Sequence, residues 1–279
     1  MPVDLHLHST QSDGTDAPAE VVRLAAEAGL SAVALTDHDT LDGIAEARQA
    51  AAEHGLELIA GTELSVEWPT GTMHLLVYHL DPGPGPLQDE LAALRQARST
   101  RNEQIVARLN DLGIEVTIDD VVREAGGGVV GRPHIAAVLM ERGDAATIAD
   151  AFDRYLARGR PAYVDRMRLG AVQAVELAIR TGAVPVLAHP HTLGIATAEF
   201  DRAFEELAAV GLKGIESYYA QYEPPLRAHL AAICDRLGLI ATGGSDYHGR
   251  YKPGLAVGRG HGDLVVPDDI VGRIAAAAN

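Results

Sequence analysis

Apolar and polar residues alternate through Val3-Asp4-Leu5-His6-Leu7-His8, the two-residue period of a strand with one buried face. That period puts His6 and His8 on the same side of the backbone, close enough to grip one metal ion. Further along, short apolar runs alternate with amphipathic helical segments. The pattern predicts helices over 18–28 and 41–54, closed by Gly29 and Gly55, and strands over 32–36 and 56–61. Two further runs, 64–67 and 73–80, flank Pro69-Thr70-Gly71 and read as a hairpin. In the second half, helices are expected over 171–181, 199–210, 225–237 and 266–278, and strands over 184–188, 214–217 and 239–242. Alternation of this kind predicts parallel strands with helices outside. The middle departs from it. After the turn-rich Asp81-Pro82-Gly83-Pro84-Gly85-Pro86, residues 87–156 carry apolar positions at helical spacing, as a helical insertion would.

Composition narrows the class. With 279 residues, the chain can bury a sizeable core, and scarce aromatics beside abundant Ala, Leu and Val suit helices packed on a buried sheet. A formal charge of −16 argues against a coat for long nucleic acid or a polybasic membrane surface. It leaves room for a small anionic substrate drawn to a locally positive metal site. The single cysteine, Cys234, excludes an internal disulfide and cysteine-based zinc sites. Met1-Pro2-Val3-Asp4 lacks the pattern of a signal peptide, and no apolar run is long enough to span a bilayer, so a cytoplasmic location is expected.

Ligands in parallel α/β folds gather where strands end, and the polar residues at those points are unusual here. The first strand delivers His6 and His8, with Asp13 in the loop behind. The second ends in Thr36-Asp37-His38-Asp39 and the third in Gly61-Thr62-Glu63, and the hairpin carries His74. The insertion contains Arg132-Pro133-His134, and later strands deliver His189-Pro190, Glu216 and Asp246-Tyr247-His248. A set of imidazoles and carboxylates suits hard or borderline divalent cations. Competing motifs fail. Gly126 to Gly131 fits the spacing of a dinucleotide loop, but no strand precedes it and Pro133 follows. A Gly-Lys-Ser/Thr phosphate loop is absent, and Gly243-Gly244-Ser245-Asp246-Tyr247 lacks the closing glycine of a nucleophile elbow.

In their order and spacing, these motifs resemble the PHP (polymerase and histidinol phosphatase) family of phosphoesterases, over nearly the whole chain. The resemblance implies an α/β fold, a distorted (β/α)7 barrel formed by 1–86 and 157–279, with the mainly helical insertion 87–156 as a lid. It implies two to three divalent or transition metal ions (Mn, Fe or Zn) at the mouth of the barrel. Carried over, the first ion takes His6, His8, Glu63 and Asp246. Glu63 bridges to a second ion held also by His74 and His134, and a third takes Asp13, His38 and His248. Some family members place a histidine where Asp13 stands, which makes the third site here harder and richer in oxygen. Cations of this kind neutralise the phosphate oxygens that would repel an attacking hydroxide, and they lower the pKa of water toward neutrality.

Arg132 is the candidate for a forked grip on phosphate, and Lys252 is a further phosphate contact. His189 is the candidate general acid. The insertion looks most like the stand-alone branch of the family, which acts on nucleoside 3′,5′-bisphosphates, nucleoside monophosphates or the 5′ ends of very short RNA. Arg95, Arg98 and Arg101 are then candidates to meet substrate phosphates. The alternatives are a histidinol-phosphate phosphatase and, in a different class, a metal-binding accessory domain without turnover.

Overall fold

Every residue of the first strand, Val3–Leu7 (β1), is buried, Asp4 and His6 as completely as Val3 and Leu5. The alternating segment is a strand, and its polar face is covered from solvent as well. The computed structural model describes residues 2–278. After β1 come Pro18–Glu27 (α1), Ala32–Leu35 (β2), Ile44–His54 (α2), Glu57–Glu67 (β3) and Met73–Tyr78 (β4). The insertion holds Pro86–Asp111 (α3), Ile118–Glu124 (α4), Arg132–Glu141 (α5), Ile148–Ala151 (α6) and a π-helical turn over Phe152–Leu156. The chain then returns through Leu169–Gly170 (β5), Ala171–Arg180 (α7), Val184–Leu187 (β6), Phe200–Ala209 (α8), Gly214–Tyr219 (β7), Pro224–Leu237 (α9), Ile240–Gly244 (β8) and Asp269–Ala277 (α10).

Seven strands follow one another in the order β1-β2-β3-β4-β6-β7-β8, while β5 pairs with the end of β3. Beyond β8 the chain meets β1 again: the Asp246 amide donates to the His6 carbonyl at 2.9 Å, and Leu7 bridges Tyr247. The result is a nearly closed barrel. Gly244 is required at this seam, since a Cβ there would stand 2.5 Å from the backbone nitrogen of His6.

Two departures from the expected parallel alternation position the site. The runs 56–61 and 64–67 are one eleven-residue strand, β3. Its first half pairs parallel with β2 and its second half antiparallel with β4, so Glu63 lies mid-strand and not at a strand end. Gly61 sits at the changeover, where a Cβ would meet the Val77 carbonyl at 3.0 Å. Strand β4 runs antiparallel to both β3 and β6, so its first residues, including His74, lie at the mouth where the parallel strands end.

Helix α3 spans two cores. Leu87, Leu91 and Leu94 pack into the main core around the barrel, whereas Ile105, Val106 and Leu109 join a separate core with α4, α5 and α6. The glycine run that mimicked a dinucleotide loop serves this packing. The Val129 amide donates to the Gln11 carbonyl, and a Cβ on Gly128 would overlap the Thr10 carbonyl. Among the described residues, no helix is long and apolar enough to cross a membrane.

Candidate metal centre and substrate cavity

Six imidazoles and three carboxylates converge at the barrel mouth. Glu63 is the hub. Its Oε2 stands 3.4 Å from His6 Nε2, 3.2 Å from His8 Nε2 and 3.2 Å from His38 Nδ1, and its Oε1 stands 2.7 Å from His74 Nδ1 and 3.0 Å from His189 Nε2. Asp246 Oδ1 lies 3.6 and 3.5 Å from the same nitrogens of His6 and His8. On the other side, Asp13 faces His248 Nε2 at 3.3 Å and His38 Nε2 at 3.7 Å. Four groups of potential ligands overlap: His6, His8 and Asp246; His6, Glu63 and His189; His38, Glu63 and His74; His8, Asp13, His38 and His248.

The outer nitrogen of several rings is already bonded, and this decides which lone pair faces inward. Glu216, buried between β7 and β1, takes His6 Nδ1 at 2.9 Å and the His189 amide at 2.8 Å. His248 Nδ1 donates to the Asp246 carbonyl at 2.9 Å, and His189 Nδ1 faces Thr192 Oγ1 at 3.3 Å. His8 Nδ1 meets Ser12 Oγ at 3.5 Å, and that hydroxyl donates to Asp37. In each ring Nε2 is left toward the centre. Among the described residues, three of the four non-glycine residues with positive φ are here too: Asp39 (56°), His189 (22°) and Asp246 (54°). Strained backbone of this kind persists where surrounding bonds over-determine it.

His134 does not join the cluster. Its Nδ1 accepts the Gly131 amide at 2.9 Å, capping α5, and its ring packs edge-on against Tyr251. Burial lowers its pKa. A neutral imidazole has one lone pair, and in His134 the cap uses it. His189, expected as a proton donor, instead points Nε2 at Glu63 in the position expected of His134. Lys252 Nζ pairs with Asp246 Oδ2, which also accepts the Tyr219 hydroxyl at 2.8 Å. Tyr219 is the residue of this site that the sequence did not single out. Glu216, a carboxylate in the apolar run Gly214-Ile215-Glu216, was named from the sequence, but its two bonds to His6 and His189 were not.

The electrostatics fit bound cations. Burial alone would raise the carboxyls of Glu63 and Asp13, but the facing imidazoles outweigh it and hold both well below the usual range. Burial also works against a charged His6 or His8, yet the carboxylates around them prevail, raising His6 well above its ordinary value and His8 to about 9. Asp13 Oδ1 is buried and faces His248 Nε2 at 3.3 Å and His8 Nδ1 at 3.8 Å, without an aligned hydrogen bond from the described residues. Buried carboxylate oxygens facing imidazole nitrogens, inward lone pairs and a nitrogen–oxygen donor set together fit divalent cations.

Beside the centre lies a cavity of about 830 Å³, lined by Asp13, His38, His74 and His248 on one side and by the insertion, the segment 157–168 that follows it and the hairpin 65–72 on the other. Its wall carries seven basic side chains, Arg98, Arg101, Arg132, Arg158, Arg166, Arg168 and Lys252, against three acidic ones. Arg132 is half-buried, donates to the Leu156 carbonyl at 3.1 Å and sits over the rings of Phe152 and Tyr163. Arg101 is buried. Burial, then the neighbouring Arg98, Arg132, Arg166 and Arg168, lower its pKa to about 8, as in a site short of negative charge.

The profile of the PHP domain matches residues 4–157, more than half the chain. The chain belongs to the PHP domain family. It is 34% identical to the 5′-3′ exoribonuclease Rnm of Salmonella typhimurium, over 92% of this chain and 88% of that protein. It is also 34% identical to the 3′,5′-nucleoside bisphosphate phosphatase of Chromobacterium violaceum, over 92% and 90% respectively. A solved structure from Bifidobacterium adolescentis, described as a candidate metal-dependent phosphoesterase, superimposes with a TM-score of 0.88 at 32% identity, covering 100% of this chain and 98% of the other. The barrel is therefore the PHP fold, and this PHP protein is a metal-dependent phosphoester hydrolase.

Proposed function

We propose that this PHP enzyme releases phosphate or a mononucleotide from small nucleotides, with nucleoside 3′,5′-bisphosphates and the 5′ ends of very short RNA as its substrate class. The observation that carries the reading is the guanidinium-lined cavity opening beside the imidazole–carboxylate cluster. One phosphate ester needs one charge-neutralising site. The cluster supplies it, and the arginines of the opposite wall remain available for a second anionic group. Relatives named for a nucleoside bisphosphate and for RNA support the same substrate class.

In this reading His6, His8, Glu63 and Asp246 hold one ion. Glu63, His74 and His189 hold a second, with His189 in place of His134. Asp13, His38 and His248 hold a third. Manganese, iron and zinc all suit such donors. Bound cations would neutralise phosphoryl oxygens and bring the pKa of water near neutrality. The chain's own residues do the rest. Arg132, held over two aromatic rings, presents its remaining N–H groups to phosphate. Lys252 neutralises Asp246 from the cavity side and stands within reach of the same phosphate. The insertion serves as a lid whose arginines close over the substrate, a division of the chain into 1–86 with 157–279 and 87–156.

Histidinol phosphate fits less well. It brings an ammonium group into a wall already crowded with cations, which would repel it. The test is a panel at fixed manganese loading: adenosine 3′,5′-bisphosphate, both adenosine monophosphates, a dinucleotide RNA with a 5′-phosphate, and histidinol phosphate. The expected order puts the bisphosphate and short RNA at least about tenfold above histidinol phosphate in kcat/KM. A preference for histidinol phosphate, or turnover of none of them, would overturn the reading.

A further inference from the structure

We propose that Asp39 is a positioning residue for the substrate's second phosphate, fixing Arg98 and Arg166 side by side so that their free N–H groups form a preset anion fork. The inference rests on the nucleotide reading above. Asp39 itself does not line the cavity; Arg98 and Arg166 do. Its fully buried Oδ2 accepts Arg98 Nη2 at 2.5 Å and Arg166 Nη2 at 3.2 Å. Its carbonyl accepts Arg95 Nη1 at 2.9 Å, and its amide donates to the Glu63 carbonyl at 3.2 Å. One residue therefore ties α3, the strand of the central carboxylate and the segment following the insertion to a single point.

The fork is incomplete by itself. Arg98 Nε and Arg166 Nη1 are buried with no hydrogen-bond partner among the described residues. One carboxylate cannot balance two guanidinium groups, and Arg101 stands beside them as a third. Buried charged donors without acceptors are costly, and a phosphate in the cavity would satisfy them with charge-assisted bonds. Asp39 supplies enough negative charge to hold the two cations together, but too little to compete fully with a dianion. Its left-handed backbone, adjacent to His38, makes the spacing between this fork and the metal centre a fixed dimension of the fold. The enzyme would then measure the distance between two phosphates.

Asp39→Asn removes the charge while keeping the size and a residue that tolerates the left-handed conformation. The readout is the ratio of kcat/KM on adenosine 3′,5′-bisphosphate to that on whichever adenosine monophosphate the wild type hydrolyses. The ratio is expected to fall about tenfold or more, chiefly through KM, because charge-assisted bonds to the second phosphate are lost. A purely structural role would depress both substrates alike, and an unchanged ratio would overturn the inference. Should Asp39→Asn fail to fold, Arg98→Lys carries the same test: it keeps the charge but cannot be forked against Asp39, and the ratio must fall likewise. If the wild type shows no preference for the bisphosphate, the inference fails together with the nucleotide reading. If that preference is present and both variants retain it, only the inference fails.

Discussion

Glu216 makes two bonds at once, to His6 Nδ1 and to the His189 amide, and so fixes two rings from different strands. Replacing it with Gln keeps the shape but offers an amide N–H₂ as readily as an oxygen, which frees His6 to turn its proton inward. Glu216→Gln is expected to weaken metal binding by about 10–100-fold, measured by competition with a calibrated chelator; unchanged affinity would remove Glu216 from the centre. A second comparison separates the two histidines that a linear reading confuses. His189→Ala should lose bound metal, whereas His134→Ala should keep the wild-type metal content and lose stability through its missing helix cap. Elemental analysis with a thermal melt decides, and equal metal loss in both variants would reject the assignment. His6, His8, Glu63 and Asp246 drew attention as polar residues in or beside apolar runs, where few structural roles explain them, and the structure brings them together. The choice between His134 and His189 was not legible, since it turns on where one lone pair is used, and only the turn into α5 shows that.

At the scale of elements, the alternation of strands and helices revealed most of the barrel, and the hairpin around Pro69-Thr70-Gly71 revealed β4. The hidden part was direction and continuity. A glycine after an apolar run ordinarily marks an end, but Gly61 marks a change of partner inside β3. No local signal says so, because the reason lies in the neighbouring strand. Gly244 is the counterpart at the seam between β8 and β1, where close approach leaves no room for a side chain. Gly244→Ala must push the His6 backbone away, at about 1–3 kcal/mol if the strands shift as in other overpacked cores. The expected result is a lower melting temperature in metal-free protein. An unaltered melt would mean that the barrel is more loosely joined there than the contacts imply.

Across the whole molecule, charge is sorted by place. Seven of the chain's 23 lysines and arginines line one cavity, together with only three of its 39 acidic residues, and even with the buried carboxylates Asp4, Asp37, Asp39, Glu63, Glu216 and Asp246 set aside the exterior keeps a large excess of acidic groups. The two regions act oppositely on a polyanion. A short nucleotide fits within the cavity and meets its focused positive potential, which salt screens only partly at buried arginines. A longer RNA must lay each further phosphate across an acidic surface, with no counterion release to favour it. Length and salt should therefore interact. At low ionic strength, about 0.05 M, kcat/KM for 5′-phosphorylated RNA is expected to fall steeply as the chain grows beyond the few nucleotides the cavity admits. Raising salt to about 0.3 M shortens the Debye length to a few ångströms and screens the exterior, so the long substrates should recover relative to the short ones. An enzyme that binds RNA through a basic surface would behave the other way, losing long substrates first as salt rises. A series of oligonucleotides at the two salt concentrations distinguishes these signs, and loss of the long substrates at high salt would show that a binding surface outside the cavity governs access.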